Sequence, residues 1–209
     1  MPGPAESHNG GEPATPRPSA SIVLLRRGGK HSERALEVLM LKRSEQARFM
    51  PGVWVFPGGA VDAADGEGEQ GRRACAMREL AEESGIELPA GEELALFSRW
   101  ITPERVSTRF DAWFFLALAP AHTPPVPDGV ETTEAAWYRP GDALEANEAG
   151  ELPIVFPTVK QLQLLAPHRT ADDALAAFRG REVTSILPKF IGEGTEMRPV
   201  LPGEPGYPD

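Results

Sequence analysis

The sequence predicts an α+β or α/β domain, a β-sheet covered by helices with additional helices towards the C-terminus, on three observations. Apolar runs at 21–25, 36–41, 53–56, 94–101, 110–119 and 131–138 have the length and composition of strands. A segment around 74–86 sets Ala74, Met77, Leu80 and Ala81 opposite three glutamates, the pattern of a helix with one packed face. Three more helical segments, 140–149, 156–165 and 171–179, follow the last strand. The chain has 209 residues with 41% hydrophobic content, which is enough for one generous domain with a real core.

Taken in order, residues 1–19 are dominated by Pro, Gly, Ala, Ser and isolated charges, and are expected to form a disordered tail. The domain is expected over 20–191. Its first two strands flank a polar, glycine-containing turn and read as a hairpin or as neighbours. The run Val53-Trp54-Val55-Phe56 leads into Pro57-Gly58-Gly59, where consecutive glycines let a backbone carbonyl or amide approach a ligand closely. In 110–119, Trp113-Phe114-Phe115-Leu116 hardly alternates, so this strand is expected to be buried on both faces. The preceding connection, 102–109, carries Arg105 and Arg109, which could reach a substrate phosphate. A Pro-rich loop spans 120–129; Pro140 suits the first turn of a helix, and Thr170 suits an N-cap. The last helices read as a cover over the sheet or the site. Residues 192–209, rich in Gly and Pro, are expected to form a loose tail.

The chemistry concentrates in Arg78-Glu79-Leu80-Ala81-Glu82-Glu83-Ser84-Gly85-Ile86. On a helix, Glu79, Glu82 and Glu83 fall at i, i+3 and i+4 and share a face. Three clustered anions repel, and a hard cation such as Mg²⁺, which prefers oxygen ligands and shares them with substrate phosphates, would relieve that cost. The alternative is a solvated acidic turn with an Arg78 to Glu82 ion pair and a glycine C-cap. At average residue usage the pattern arises on the order of once in ten million start positions, so chance explains it poorly. Cys75 lies one turn earlier on nearly the same face, either near a metal or as a small residue filling space.

These residues resemble the Nudix box of the Nudix hydrolases, G-x5-E-x7-R-E-U-x-E-E-x-G-U with U aliphatic. The half from Arg78 to Ile86 matches throughout. In the first half, Gly59 is followed after five residues by Asp65 where the family has Glu, and twelve residues instead of seven separate Asp65 from Arg78. The extra residues fall at 66–71, a stretch expected to be flexible, where insertion costs little. The resemblance implies the Nudix fold, a mixed β-sheet sandwiched between helices, and a divalent cofactor, Mg²⁺ or Mn²⁺. It assigns Glu82 and Glu83 as metal ligands, Glu79 as ligand or general base, the Gly59 carbonyl as a further ligand, and Arg78 as the residue orienting the carboxylates. An accessory acid beyond the helix is expected at Glu131 or Glu134, with Asp65 a third candidate. Many members dimerise, so a homodimer is expected by resemblance.

A second likeness precedes the box. The branch that hydrolyses coenzyme A carries L-L-T-x-R-S-x3-R-x3-G-x3-F-P-G-G, and this chain has Leu39, Arg43, Ser44, Arg48, Gly52 and Phe56-Pro57-Gly58-Gly59 at those spacings. Only Met40 and Leu41 depart from it. The likeness implies cleavage of CoA or acyl-CoA, with Arg43, Arg48, Gly58, Gly59, Arg105 and Arg109 as substrate-binding candidates. An ADP-ribose, NADH or dinucleotide pyrophosphatase is the alternative within the class; a module that binds a nucleotide without cutting it is the alternative outside it.

A net charge of −10 argues against a nucleic-acid backbone as the main partner, because polyanion binding needs a basic face. A CoA-like nucleotide is still allowed, since a metal and a few local arginines can supply the positive charge. With Cys75 alone no internal disulfide forms. No apolar run reaches membrane-spanning length, no signal pattern opens the chain, and its final residues are not a peroxisomal address, so a cytoplasmic location is expected.

Overall fold

A computed structural model of the chain describes residues 12–29, 32–47, 50–192 and 197–208. Among these, eight strands form one mixed sheet: β1 (Arg17–Gly29), β2 (Ser32–Arg43), β3 (Trp54–Val55), β4 (Gly58–Ala60), β5 (Ala95–Ile101), β6 (Phe110–Leu118), β7 (Thr132–Tyr138) and β8 (Ser185–Ile186). The order is β3-β2-β1-β6-β5-β8, with β4 pairing β1 and β7 pairing β2. β1 runs parallel to β6 and β5 parallel to β8, while the other pairs are antiparallel.

Strand alternation sorts the apolar residues into two cores. Ala20, Ile22 and Leu24 of β1, Leu39 and Leu41 of β2, and Phe115 and Ala117 of β6 face one side, where they meet Cys75, Ala76 and Leu80 of α1 (Gly68–Ser84). Val23, Leu25, Val38, Met40 and Leu116 face the other side. There they meet Ala143 of α2 (Pro140–Glu148), Leu162 and Leu165 of α3 (Phe156–Leu165), and Ala174 and Phe178 of α4 (Ala171–Phe178). The sheet is therefore covered on both faces, as expected, and Thr170 caps α4 by accepting the Asp173 amide proton at 3.1 Å.

Four expectations are corrected. The disordered tail over 1–19 ends earlier: Arg17, Pro18 and Ser19 already pair with Phe110, Asp111 and Ala112, because the edge of β6 supplies partners that a Pro- and Ser-rich run cannot supply for itself. The loose tail over 192–209 contains β10 (Arg198–Val200), which pairs with β9 (Lys189–Ile191), and Val200 is fully buried. The stretch 66–71 is not wholly loop, since α1 begins at Gly68. Finally, β6 is fully buried only at Phe115, Leu116 and Ala117, its first half being partly open.

Candidate active site

α1 ends at Gly85, whose φ of 67° is the left-handed C-cap that favours glycine. The helix packs Cys75, Ala76, Leu80, Glu83 and Ser84 inward. This corrects the projected faces: Ala74 is exposed, and Glu83, expected among the outward carboxylates, is only 4% exposed. The reason lies in the neighbouring loop. The Gly58 N–H donates to Glu83 Oε2 at 2.9 Å, giving the buried carboxylate an amide partner.

Both glycines of the loop are there for closeness. A Cβ on Gly59 would stand 2.3 Å from Glu79 Oε1, and one on Gly58 would stand 2.5 Å from the Ala20 carbonyl oxygen. Loop and helix therefore touch without side chains between them. The Cys75 thiol packs beneath, 3.6 Å from the Gly59 and 3.4 Å from the Ala60 carbonyl oxygens, and burial pushes it up to about 12. It behaves as the small buried residue that was one of its two readings.

Arg78 gathers the rest. Its Nε and Nη2 donate to the two carboxylate oxygens of Asp65, each at 2.9 Å, while Nη1 donates to Glu79 and Glu82, also at 2.9 Å each. The fork lowers the Asp65 pKa from its usual value. Asp65 reaches it from a short 3₁₀ turn over Ala63–Asp65, and also accepts the Asp62 amide proton at 2.8 Å. The insertion leaves this contact intact because the chain closes tightly behind it: a Cβ on Gly71 would lie 2.3 Å from the Gly66 carbonyl oxygen.

Two carboxylates resist ionisation. Burial pushes Glu83 up to about 8, the Gly58 amide and Arg43 opposing the rise and Glu79 and Glu131 adding to it. Burial also raises Glu79, against the pull of Arg78 and with a push from Glu82 and Glu131. Glu131 thus belongs to the same electrostatic neighbourhood. Glu134 does not: it pairs with Lys42 at 2.9 Å on the opposite face of the sheet. A bulge explains the separation, because Arg43 stands opposite Thr132 and Lys42 opposite Glu134, which leaves Thr133 without a counterpart. Arg43, one residue along β2 from Lys42, faces the α1 side by strand alternation, as Leu39 and Leu41 do.

The remaining candidates are placed apart from the carboxylates. Arg109 is 8% exposed and donates to the Thr102 and Ala14 carbonyl oxygens at 3.0 and 2.7 Å, tying the chain ahead of β1 to the loop after β5. Arg105 meets Met197 Sδ at 3.0 Å and lies over the Phe190 ring. Arg48 lies outside the described residues. Gly52 has a φ of 70° and sits where a Cβ would be 2.7 Å from Glu45 Oε1, so the signature glycine is a tight turn closing β2 onto β3.

Sequence reasoning missed two residues here. Thr132 is fully buried and donates its hydroxyl to the Glu83 carbonyl at 2.9 Å, fastening the helix end to β7. Asp128 fixes Thr132: burial alone would raise its pKa, but the Thr132, Glu131 and Val130 N–H groups, which donate to its carboxylate, hold it below the usual value. The Asp128-Gly129 pair is a turn signal that could have revealed it.

Among the described residues, no three His, Cys, Asp or Glu side chains already converge as a metal shell. The donors fit a hard divalent cation in kind: Glu79, Glu82, Glu83 and the Gly59 carbonyl present only oxygen, and burial disfavours the ionised forms of Glu79 and Glu83, which a bound cation would favour. Arg78 already supplies positive charge to Glu79 and Glu82.

The NUDIX domain model matches residues 15–159, and the chain belongs to the Nudix family. It has the Nudix fold and is a hydrolase of the class that acts on nucleoside diphosphate-linked substrates, a family that generally uses divalent metal ions. It is 29% identical over 230 aligned positions to a Caenorhabditis elegans protein provisionally named nudix hydrolase 7, covering 92% of this chain and 75% of that one. It is 24% identical to the acyl-coenzyme A diphosphatase NUDT19 of Xenopus laevis, with 62% of this chain and 59% of that protein aligned. Among solved structures, a Nudix hydrolase from Alicyclobacillus acidocaldarius superposes with a TM-score of 0.70 at 26% identity, over 80% of this chain and 99% of that one. The Nudix domain of Shewanella oneidensis NrtR, solved with ADP ribose, shares the fold with a TM-score of 0.52 at 19% identity, over 72% of this chain and 88% of that one. Among the described residues no helix is long and apolar enough to cross a membrane.

Proposed function

We propose that the chain hydrolyses the phosphoanhydride of CoA or an acyl-CoA, releasing 3',5'-ADP and phosphopantetheine or its acyl form. The observation that carries the reading is the joint between loop and helix. Phe56-Pro57-Gly58-Gly59 ends the CoA-type signature, and its two glycines meet Glu83 and Glu79 directly. The likeness to the Xenopus acyl-CoA diphosphatase supports the substrate class.

When bound, Mg²⁺ or Mn²⁺ lowers the pKa of an attacking water and neutralises charge on the diphosphate. Glu82, Glu83 and the Gly59 carbonyl would hold it. Glu79, whose proton affinity is raised by burial, serves as a further ligand or as the base that takes the proton of the water. Arg78 fixes the rotamers of Glu79 and Glu82 from its anchor on Asp65. Arg43, on the same face, offers positive charge to the phosphates. Glu131, whose charge is felt at Glu79 and Glu83, is the accessory acid in this reading.

The test is product analysis with Mg²⁺ or Mn²⁺ on CoA, an acyl-CoA, ADP-ribose, NADH and a diadenosine polyphosphate. The expected result is 3',5'-ADP from the CoA substrates. Cleavage of ADP-ribose without cleavage of CoA would overturn the assignment, and no turnover of any of them would favour a nucleotide-binding module.

A further inference from the structure

Large hydrophobic side chains exposed among the described residues are Val126 at 63%, Val130 at 76% and Leu164 at 47%. The two valines share one loop, 119–131, and that loop runs past the carboxylates. Its end enters β7 at Thr132, whose hydroxyl holds the Glu83 carbonyl. Its middle is clamped to the helix end, the Val126 N–H donating to the Ser84 carbonyl at 2.8 Å, with Pro125 and Pro127 restricting the backbone on either side. Its beginning, 119–124, forms one wall of a cleft of about 650 Å³ whose other walls include Leu25, Leu118 and Trp137. That volume is in the range of small-molecule sites.

We propose that this loop is the track for the acyl arm of the substrate, with the acyl chain seated in the cleft against Trp137. The inference rests on the CoA or acyl-CoA reading of the carboxylate site. Two rigidly held, water-exposed valines beside a cluster of charged groups do nothing for a diphosphate, but they match an apolar arm covalently attached to one. Thr132 and Trp137 are five residues apart on β7, about 17 Å of strand. An extended pantetheine arm has that order of length, so the acyl group would begin where the cleft opens. The charges around the cleft are already matched. Arg26 pairs with Glu37 at 2.6 Å and lies 4.5 Å over the Trp137 ring, and Arg27 pairs with Asp172. A neutralised rim with an aromatic and aliphatic lining suits a hydrocarbon better than a second phosphate.

The experiment compares a long-chain acyl-CoA with free CoA on the same protein preparations. Val126→Ser and Val130→Ser, which lie along the pantetheine stretch common to both substrates, should each raise the KM for free CoA and for acyl-CoA alike by about tenfold, the scale of a few lost apolar contacts and a quantity independent of how much enzyme is folded. Ala121→Trp, which fills the cleft, should shift the preferred chain to a shorter one. KM values unmoved in both valine variants, or a chain-length optimum unmoved in Ala121→Trp, would overturn the track, as would a wild-type enzyme that cleaves CoA and rejects acyl-CoA. A wild-type enzyme that cleaves ADP-ribose and neither CoA substrate would instead overturn the substrate reading, and the track with it.

Discussion

Glu83 and Gly58 are joined by a 2.9 Å hydrogen bond that crosses from the helix end to the loop. Through it the carboxylate is buried without being abandoned, and the loop glycine gains a fixed place above β1. Function and packing meet in this bond, so it gives the most direct tests.

Gly58→Ala and Gly59→Ala should fail differently. At Gly58 the new Cβ meets the Ala20 backbone at 2.5 Å, which cannot retreat, and we expect a loss of about 1–3 kcal/mol in stability by denaturant unfolding. At Gly59 the clash is with the Glu79 carboxylate, a side chain that can swing away. Stability should hold there while kcat falls, and equal losses of stability in both variants would contradict the account.

Glu83 makes the metal-free protein sensitive to pH. An acid whose pKa rises from an unfolded value near 4.5 to about 8 keeps its proton in the folded state across that window. The folded state then binds more protons than the unfolded one, so stability falls as pH rises from about 4.5 to 8, with a slope of up to ~1.4 kcal/mol per unit. Glu83→Gln should flatten this component and remove most turnover. Melting curves of both proteins in chelator across the window check it, and parallel pH profiles would refute it.

Glu82 and Asp65 separate ligand from anchor. Glu82 is 59% exposed, so Glu82→Gln should leave the melting temperature unchanged while reducing kcat by roughly 100-fold. Asp65 is 5% exposed and holds Arg78 by both oxygens, so Asp65→Asn should destabilise the fold by about 1–3 kcal/mol. Calorimetry and steady-state kinetics on the pair decide between the roles.

Arg109 and Arg43 separate a brace from a substrate contact. Arg109→Ala removes a buried cation that ties Ala14 to Thr102, and should lower stability without altering the KM of the remaining folded enzyme. Arg43→Gln should raise the KM for CoA. The opposite pattern would restore Arg109 to the substrate.

Much of this was legible in the sequence because it depends on local spacing. The strand runs, the helix 156–165 and the glycine stop at Gly85 each follow from a few adjacent residues. The burial of Glu83 does not, because a helical projection cannot show that Gly58 will offer an amide to that position. Arg109 illustrates the same limit, since its acceptors at Ala14 and Thr102 are brought together only by the β1 to β6 pairing. Asp65 was obscured by the insertion that precedes Arg78, and it is recovered because the extra residues coil into the start of α1 and do not push the carboxylate away.

The bulge opposite Arg43 puts a bend between the two ends of β7. With Thr133 left out of register, Thr132 at the carboxylate end and Trp137 at the cleft end both point to the α1 side although they are an odd number of residues apart. Removing Thr133 would regularise the ladder and leave Thr132 and Trp137 on the same face, so what the extra residue adds is a local bend of β7 between them. The one extra residue therefore sets the angle at which β7 passes from the carboxylates to the cleft, while the side of the sheet that each end faces is fixed by the ladder.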